Sequence, residues 1–432
     1  MTRDTLRRVR GAVLAVAVAL APAAIAAPQD WRAQAVATFD EIWQTVNDTF
    51  YDPTFAGLDW GAVKAELRPK VEAAPSSEAA REIDREMLAR LKRSHFGLIT
   101  TAPSGALPGA AIAPIDVRVV PEGVVVVDVQ LGGLGGLDVH RGDLVTSIDG
   151  QPISKLIDAA EGSTPRAHAL DAWRRVFSAL HGAQGSTAEI DLRRAAGATA
   201  HVKLERRIES GQAVTVGNLP PLYVRTNARV ETTPGRKRVG VIAFNLWMTA
   251  VAGPFETAID AYRHHDGLVI DLRGNPGGLA DMIRGIAGHI VNDRALLGQM
   301  HMRQATLEFR VNPRLSTSDG RRVVPFAGPV AILVDELTAS ASECFTGGLQ
   351  SLGRVRVFGR QTMGQALPAA TKQLSNGDVL LYAVGDFVTS TGRRLEGEGV
   401  VPDEIVPLRI DELARGRDAV LAAALAWMDR AK

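Results

Sequence analysis

The sequence predicts a multidomain α/β protein made of an N-terminal helical domain, a β-rich module and a mixed α/β core. Apolar residues recur at three- and four-residue steps up to Leu91, and β-branched runs joined by glycine-containing turns come next. From Arg238 onward, continuous apolar strands alternate with helical patterns. A length of 432 residues suits two to three domains, and 46% hydrophobic against 22% charged content excludes a disordered chain.

Charge balance and cysteine content exclude several classes of function. Lys and Arg number 49 and Asp and Glu number 48, so no overall field attracts nucleic acid or an anionic membrane. Cys344 is the sole cysteine of the sequence, which excludes an intramolecular disulfide framework and a multi-cysteine zinc site. We therefore expect no nucleic-acid partner.

The N-terminal segment has the pattern of a secretory signal peptide, residues 1–26. Its arginines are Arg3, Arg7, Arg8 and Arg10. They precede the apolar run from Gly11 to Ala21 and the small-residue stretch Ala24-Ile25-Ala26. The run is short for a membrane span, which predicts a periplasmic or secreted protein without a stable span after cleavage. An uncleaved membrane anchor is the alternative.

Two amphipathic patterns predict the helical domain, residues 27–102. The first holds Phe39, Ile42, Trp43, Val46 and Phe50, and the second holds Ile83, Met87, Leu88 and Leu91. Turn residues at Asp52-Pro53 and Pro75-Ser76-Ser77 separate the helices, and a linker from Pro103 to Pro114 follows.

Short strands predict a β-rich module at residues 107–209. Strands are expected at 115–119, 123–129 and within 187–206, with a helix over 167–181. The core, residues 210–432, has buried strands at Val239 to Phe244, Gly267 to Leu272 and Val330 to Val334. Each is followed by a helical pattern, which predicts a parallel or mixed sheet covered on both faces.

Two turns at the carboxyl ends of core strands are candidate sites, because ligands bind there in such sheets. The first, Asp271 to Gly278, ends in Gly277 and Gly278, whose backbone can approach a ligand and present N–H groups to an anion. The alternative is a plain turn before a helix. The second, Asp335 to Glu343, places Ser340 between a strand and a helix, where it is a candidate nucleophile. The alternative there is a helix capping box formed by Ser340 and Glu343.

Three motifs in order resemble those of the C-terminal processing peptidases, also called tail-specific proteases. They are Asp271-Leu272-Arg273-Gly274-Asn275-Pro276-Gly277-Gly278, Thr338-Ala339-Ser340-Ala341-Ser342-Glu343 and Leu395-Glu396-Gly397-Glu398-Gly399-Val400-Val401-Pro402-Asp403. The segment from Gly136 to Gly150 resembles the PDZ domain that these enzymes carry. The resemblance implies a PDZ-like module before an α/β peptidase core, and strand addition of polypeptide C-terminal tails to that module.

The same resemblance implies the roles of individual residues. Ser340 is the nucleophile, and the oxyanion hole combines the N–H of Ala341 with that of Gly277 or Gly278. The family's Ser-Lys members carry a lysine in a Thr-x-Gly-Lys-Gly turn, but this sequence reads Thr362-Met363-Gly364-Gln365-Ala366. A glutamine side chain cannot serve as the base, so Gln365 is kept as a candidate substrate contact.

A replacement base is implied by resemblance to the tricorn-type peptidases, which use a histidine from an upstream Ser-His dipeptide. Here Ser94-His95 ends the helical domain, and His95 is the expected base because neutral imidazole suits that role near pH 7. Ser94 and Glu396 are expected to orient it, with Glu398 as the second acidic candidate.

The sequence therefore predicts an exported serine endopeptidase that acts on polypeptides through their C-terminal tails. We expect no metal and no organic cofactor. Because of the missing lysine, one alternative is a catalytically inactive, PDZ-containing binding or scaffold protein of the cell envelope. A further alternative is an esterase or amidase that uses the same Ser-His chemistry on a small secreted substrate.

Overall fold

A computed structural model describes residues 30–100, 111–130, 138–162, 164–215 and 221–431. The predicted signal peptide, residues 1–26, lies outside the described residues, as do most of the predicted linker and the glycine pairs between 131 and 137. Within the described ranges, no helix is long and apolar enough to cross a membrane.

The helical segment consists of α1 (Trp31–Thr49), α2 (Trp60–Glu72) and α3 (Ser77–Ala89). The side chains of Asp30, Asp59 and Ser76 cap the three N-termini by accepting backbone N–H groups. The predicted apolar positions Phe39, Ile42, Val46, Met87 and Leu88 are buried together. The amphipathic patterns did not predict α2, which packs against both α1 and α3, and these two helices also contact each other.

The β-rich module is an antiparallel sheet packed against two helices. Its elements are β2 (Ala111–Ile112), β3 (Ile115–Val120), β4 (Gly123–Val129), β5 (Leu144–Ile148), β6 (Gln151–Pro152), α4 (Ile153–Asp158), α5 (Pro165–Leu180), β7 (His181–Gly182), β8 (Thr187–Arg193) and β9 (Thr199–Glu205). The strand order is β3-β4-β5-β8-β9, with β6 beside β5. Val176 and Leu180 of α5 share one buried apolar core with Ile190 of β8. The predicted strands and helix of this module are confirmed.

The core sheet follows a small hairpin of β10 (Gln212–Val214) and β11 (Leu222–Val224). Its strands are β12 (Thr226–Thr232), β13 (Arg238–Phe244), β14 (Gly267–Asp271), β17 (Val330–Val334), β18 (Arg356–Gly359) and β22 (Glu404–Ile405), in that spatial order. β12 pairs antiparallel with β13, and the other pairs are parallel. The mixed sheet that the sequence predicts is thus confirmed.

Helices cover both faces of this sheet. One face packs on α6 (Ala252–Tyr262), α7 (Met282–Ala287) and α8 (Ala341–Ser351), and the other on α10 (Ala419–Arg430), which follows the short α9 (Ile410–Ala414). Because β14 and β17 are parallel neighbours, the loops after them, which carry Gly277 and Ser340, leave the same edge of the sheet.

Two smaller sheets complete the core. One contains β15 (Leu296–Met302), β16 (Thr306–Arg310) and β21 (Gly385–Thr389). The other joins the hairpin of β19 (Ala369–Gln373) and β20 (Val379–Ala383) to β1 (Gly97–Ile99), which directly follows the helical segment. This pairing brings the end of the helical segment against the core.

Candidate active site

Ser340 lies between β17 and α8 in a strained backbone conformation. Its φ of 55° and ψ of −120° belong to a region that side-chain-bearing residues rarely adopt. Its N–H donates to the Gln365 carbonyl at 2.9 Å and to Glu343 Oε2 at 3.1 Å. These two acceptors hold the serine at the N-terminus of α8, and Glu343 forms the carboxylate half of the predicted capping box.

His95 reaches Ser340 from the other end of the chain. The distance from His95 Nε2 to Ser340 Oγ is 3.0 Å, across 245 positions of sequence. Gly97, two residues after His95, pairs with Leu381 of β20. This pairing restricts where the imidazole ring can lie. Burial lowers the pKa of His95 to about 4, so the imidazole is neutral at pH 7 and can accept a proton.

Ser94 and Glu396 determine which imidazole nitrogen carries the proton. Ser94 donates its hydroxyl hydrogen to Glu396 Oε2 at 2.8 Å, and its Oγ lies 2.8 Å from His95 Nδ1. A hydroxyl that gives its one hydrogen to a carboxylate can only accept from the ring, so His95 Nδ1 carries the hydrogen. Nε2 is therefore the basic nitrogen and accepts a hydrogen bond from Ser340.

Two backbone donors hold the Glu396 carboxylate in place. The N–H of Ser94 donates to Oε1 at 2.9 Å, and that of Ala366 donates to Oε2 at 3.0 Å. Glu398, the second acidic candidate, has an exposed side chain and contributes its backbone carbonyl to neighbouring contacts. Of the two acids, the structure thus brings Glu396 into contact with Ser94 and His95.

The glycine pair lies directly beside Ser340. A Cβ added to Gly277 would stand 2.6 Å from Ser340 Cβ, so no larger residue fits there. The Gly277 N–H donates to Asn275 Oδ1 at 2.9 Å. By contrast, the N–H groups of Gly278 and Ala341 have no acceptor among the described residues. These two groups remain available to an oxyanion.

The turn at 362–366, where the family's lysine is absent, wraps around the buried carboxylate of Glu343. Glu343 accepts hydrogen bonds from Thr362 Oγ1 at 2.5 Å, Gly364 N at 2.6 Å and Gln365 N at 2.9 Å, besides that from Ser340 N. Burial raises its pKa to about 7, and these hydrogen bonds oppose the rise. The nearest downstream lysine, Lys372, instead contacts Thr45 and Glu41 of α1.

The β-rich module also contacts the loops that surround Ser340. Arg166 of α5 donates to the carbonyl of Thr362 and, at 3.1 Å, to that of Glu398. Arg118 of β3 forms a buried ion pair with Asp335, whose other oxygen accepts the Gly274 N–H at 2.8 Å. Sequence reasoning missed both arginines, because no local pattern marks a residue that acts in another module.

A cavity of about 1270 Å³ separates the β-rich module from the core sheet. Arg118, Asp271 and Asp335 are among its lining residues, and the loops that start there lead to Gly278 and Ser340. Among the described residues, no cluster of three or more His, Cys, Asp or Glu side chains could hold a metal ion.

Comparisons with known proteins find matches in two parts of the chain. Residues 238–406 match peptidase family S41, and residues 32–89 match the tricorn protease C1 domain. A probable CtpA-like serine protease of Staphylococcus aureus is 31% identical over 169 residues, which is 38% of this chain and 33% of that protein. The matched region thus spans about a third of the length of this curated relative.

Solved structures are similar over nearly the whole chain. The photosystem II D1 C-terminal processing protease aligns with a TM-score of 0.54 and 21% identity, covering 89% of this chain and 98% of that one. Mature CPAF aligns with a TM-score of 0.61 and 15% identity, covering 92% and 96%. The tricorn protease aligns with a TM-score of 0.51 and 16% identity, covering 92% and 37%. At these identities the similarity concerns the fold.

Proposed function

We propose, from the premise that the chain belongs to the C-terminal processing peptidase family, that it is a serine endopeptidase with a Ser340-His95 catalytic pair. The observation that carries the proposal is the 3.0 Å contact between Ser340 Oγ and His95 Nε2. It supplies a base where the family's Ser-Lys members use the lysine that this chain lacks.

The first half of the reaction acylates the serine. His95 Nε2 takes the hydroxyl proton as Ser340 Oγ attacks the peptide carbonyl carbon, and the carbonyl oxygen becomes an oxyanion. The N–H groups of Gly278 and Ala341 are positioned to stabilise that charge. The protonated ring then gives its Nε2 proton to the leaving amine nitrogen, which breaks the peptide bond.

The second half releases the product. His95 removes a proton from a water molecule, which attacks the acyl carbon, and the same proton returns to Ser340 Oγ as the ester bond breaks. In both halves the imidazole passes through a charged state in a buried site. Ser94 and Glu396 support that state, because the carboxylate polarises the serine hydroxyl that accepts the ring Nδ1 hydrogen.

Extended polypeptides of an exported compartment are the proposed substrates. The cavity of about 1270 Å³ has room for a segment of unfolded chain, but neither Ser340 nor His95 lines it, so a substrate held there must extend from it to reach the Ser340-His95 pair. The PDZ-like module, proposed for residues 107–209, would hold a C-terminal tail by strand addition. The predicted signal peptide supports a periplasmic or secreted location. Glu396 is the proposed orienter rather than Glu398, and Gln365 stays a candidate substrate contact.

The test is degradation of an unfolded protein with an apolar C-terminal tail by the purified chain. Cleavage should be lost in Ser340→Ala and reduced at least a thousandfold in His95→Ala, but retained in Gln365→Ala. Labelling by a serine-reactive fluorophosphonate should be abolished in Ser340→Ala, which lacks the labelled atom, and slowed in His95→Ala, which lacks the base. Tail binding without cleavage or labelling by any form would support the inactive scaffold instead. Turnover of small esters with no cleavage of polypeptides would support the esterase.

A further inference from the structure

The strand β12 forms an end of the core sheet and is exposed along most of its length. Residues Asn227 to Val230 are exposed in succession, and the Val230 side chain retains 44% of its accessible surface. Across the described ranges of the chain, no strand pairs with its outer edge. Natural edge strands are usually short, bulged, charged or interrupted by proline. This strand carries the charged Arg229 and Glu231, but it has seven residues in unbroken register with β13.

The register shows which backbone groups face outward. Asn245 N donates to the Arg225 carbonyl, and Thr233 N donates to that of Lys237, so the odd-numbered positions along β12 bond toward β13. Hydrogen-bonded and non-hydrogen-bonded positions alternate in an antiparallel pair. The even-numbered residues Ala228, Val230 and Thr232 therefore direct their N–H and C=O groups to the outer edge.

We propose that this edge pairs antiparallel with the same edge of a second copy of the chain, about a two-fold axis at Val230. The two Val230 residues would exchange N–H···O bonds and bury their exposed side chains against each other. Ala228 would pair in the same way with Thr232 of the second copy. The two core sheets would then form one continuous sheet across the axis. The proposal does not depend on the proposed peptidase activity.

Charge complementarity favours this register. With the axis at Val230, Arg229 faces Glu231 of the second copy in a non-hydrogen-bonded pair, where side chains come closest. Within one chain these two side chains already form an ion pair of 2.8 Å, so both are held at the strand. An axis at Arg229 or at Glu231 would instead place like charges opposite each other, which is unfavourable.

Sedimentation velocity of the full chain over a range of concentrations tests the proposal. We expect a reversible dimer, at least tenfold weaker in Arg229→Glu and in Glu231→Arg, because each change opposes like charges twice. The double variant R229E/E231R should restore the dimer. An equimolar mixture of the two single variants should form heterodimers, because one chain then has two glutamates opposite two arginines.

A matched control is Arg310→Glu on β16. This change removes a similar exposed ion pair, between Arg310 and Glu308, at the edge of another sheet. It should leave the dimer unchanged. Circular dichroism should give the same folded spectrum for every variant. A monomer at all concentrations, or a dimer insensitive to the single changes, would overturn the proposal. An absence of heterodimers in the mixture would also overturn it. The same holds if the chain stays monomeric and binds an extended polypeptide along β12.

Discussion

At the scale of single residues, the neutral state of His95 leads to a pH prediction. Burial places its pKa near 4, below the ordinary value of 6.5. The base must be neutral to act, so kcat/KM should rise with pH through the region near 4 and stay level from about pH 6 to neutrality. The measurement is kcat/KM for a soluble peptide against pH, with circular dichroism to separate inactivation from unfolding. An acid limb centred at 6.5 or higher would contradict it.

The relay through Ser94 gives a second prediction. Ser94→Ala removes the acceptor of the His95 Nδ1 hydrogen, so kcat should fall at least roughly tenfold while KM changes little. Glu396→Gln should have a similar effect, since it removes the charge that supports the imidazolium. Because the two residues act through one chain of hydrogen bonds, the double variant should lose much less than the product of the single losses. Losses that multiply in full would show independent roles.

Gly277 supports a third prediction about the space around the nucleophile. Gly277→Ala would place a Cβ 2.6 Å from Ser340 Cβ at a φ of 102°, so fluorophosphonate labelling and kcat should fall by at least roughly 100-fold. The control is Gly285→Ala in α7, where an added Cβ meets nothing within 4 Å. The control should keep full activity and gain slightly in stability. Equal activity of the two variants would contradict the prediction.

The sequence predicts the role of a residue only where a short local motif marks that residue. Ser340, His95, Ser94 and Glu396 each lie in a short motif, and the sequence alone placed all four in one predicted site. The choice between Gly277 and Gly278 could not be made that way. It depends on which N–H group the Asn275 side chain occupies, and that contact exists only in the folded loop.

At the scale of elements, Glu343 joins the start of α8 to the turn at 362–366. Glu343→Gln would replace an acceptor oxygen by an amide donor that faces existing N–H donors, at a cost of roughly 2–4 kcal/mol in the free energy of unfolding. Thermal unfolding measures the loss, and activity should fall too because Ser340 N shares the carboxylate. The exposed Glu82→Gln is the control and should change stability by less than about 0.5 kcal/mol. Equal melting of both variants would contradict it.

The bounds of secondary-structure elements were predicted correctly where the local sequence favours one type of element. The buried strands β13, β14 and β17 appear within a residue of the predicted bounds, because their short length, their β-branched residues and the turn residues beside them favour a strand over a buried helix. The pairing of β1 with β20 was not predicted. The three residues of β1 carry no periodic signal, and their partners in β20 lie 280 to 284 positions away.

At the scale of the whole molecule, the proposed active site is assembled between separate parts of the chain. The core supplies Ser340 and Glu396, and the segment after α3 supplies Ser94 and His95. Side chains of the β19–β20 hairpin, chiefly Leu374 and Leu380, are buried within the apolar core of the helical segment. The helical segment and the core therefore share one hydrophobic cluster, and the position of His95 depends on it.

This dependence gives the last prediction. Leu380→Ala should cost roughly 2–5 kcal/mol by leaving a cavity between the hairpin and the helices, and it should loosen the contact that holds β1 and His95. Leu192→Ala, in the core of the β-rich module, removes an equally buried leucine far from the catalytic pair in the chain. At a temperature where both variants are folded, Leu380→Ala should lose most of its kcat and Leu192→Ala should keep it. If Leu380→Ala and Leu192→Ala lose the same stability and keep the same kcat, His95 is held by its local turn alone. Docking of the helices on the core would then contribute to folding without setting the distance from His95 to Ser340.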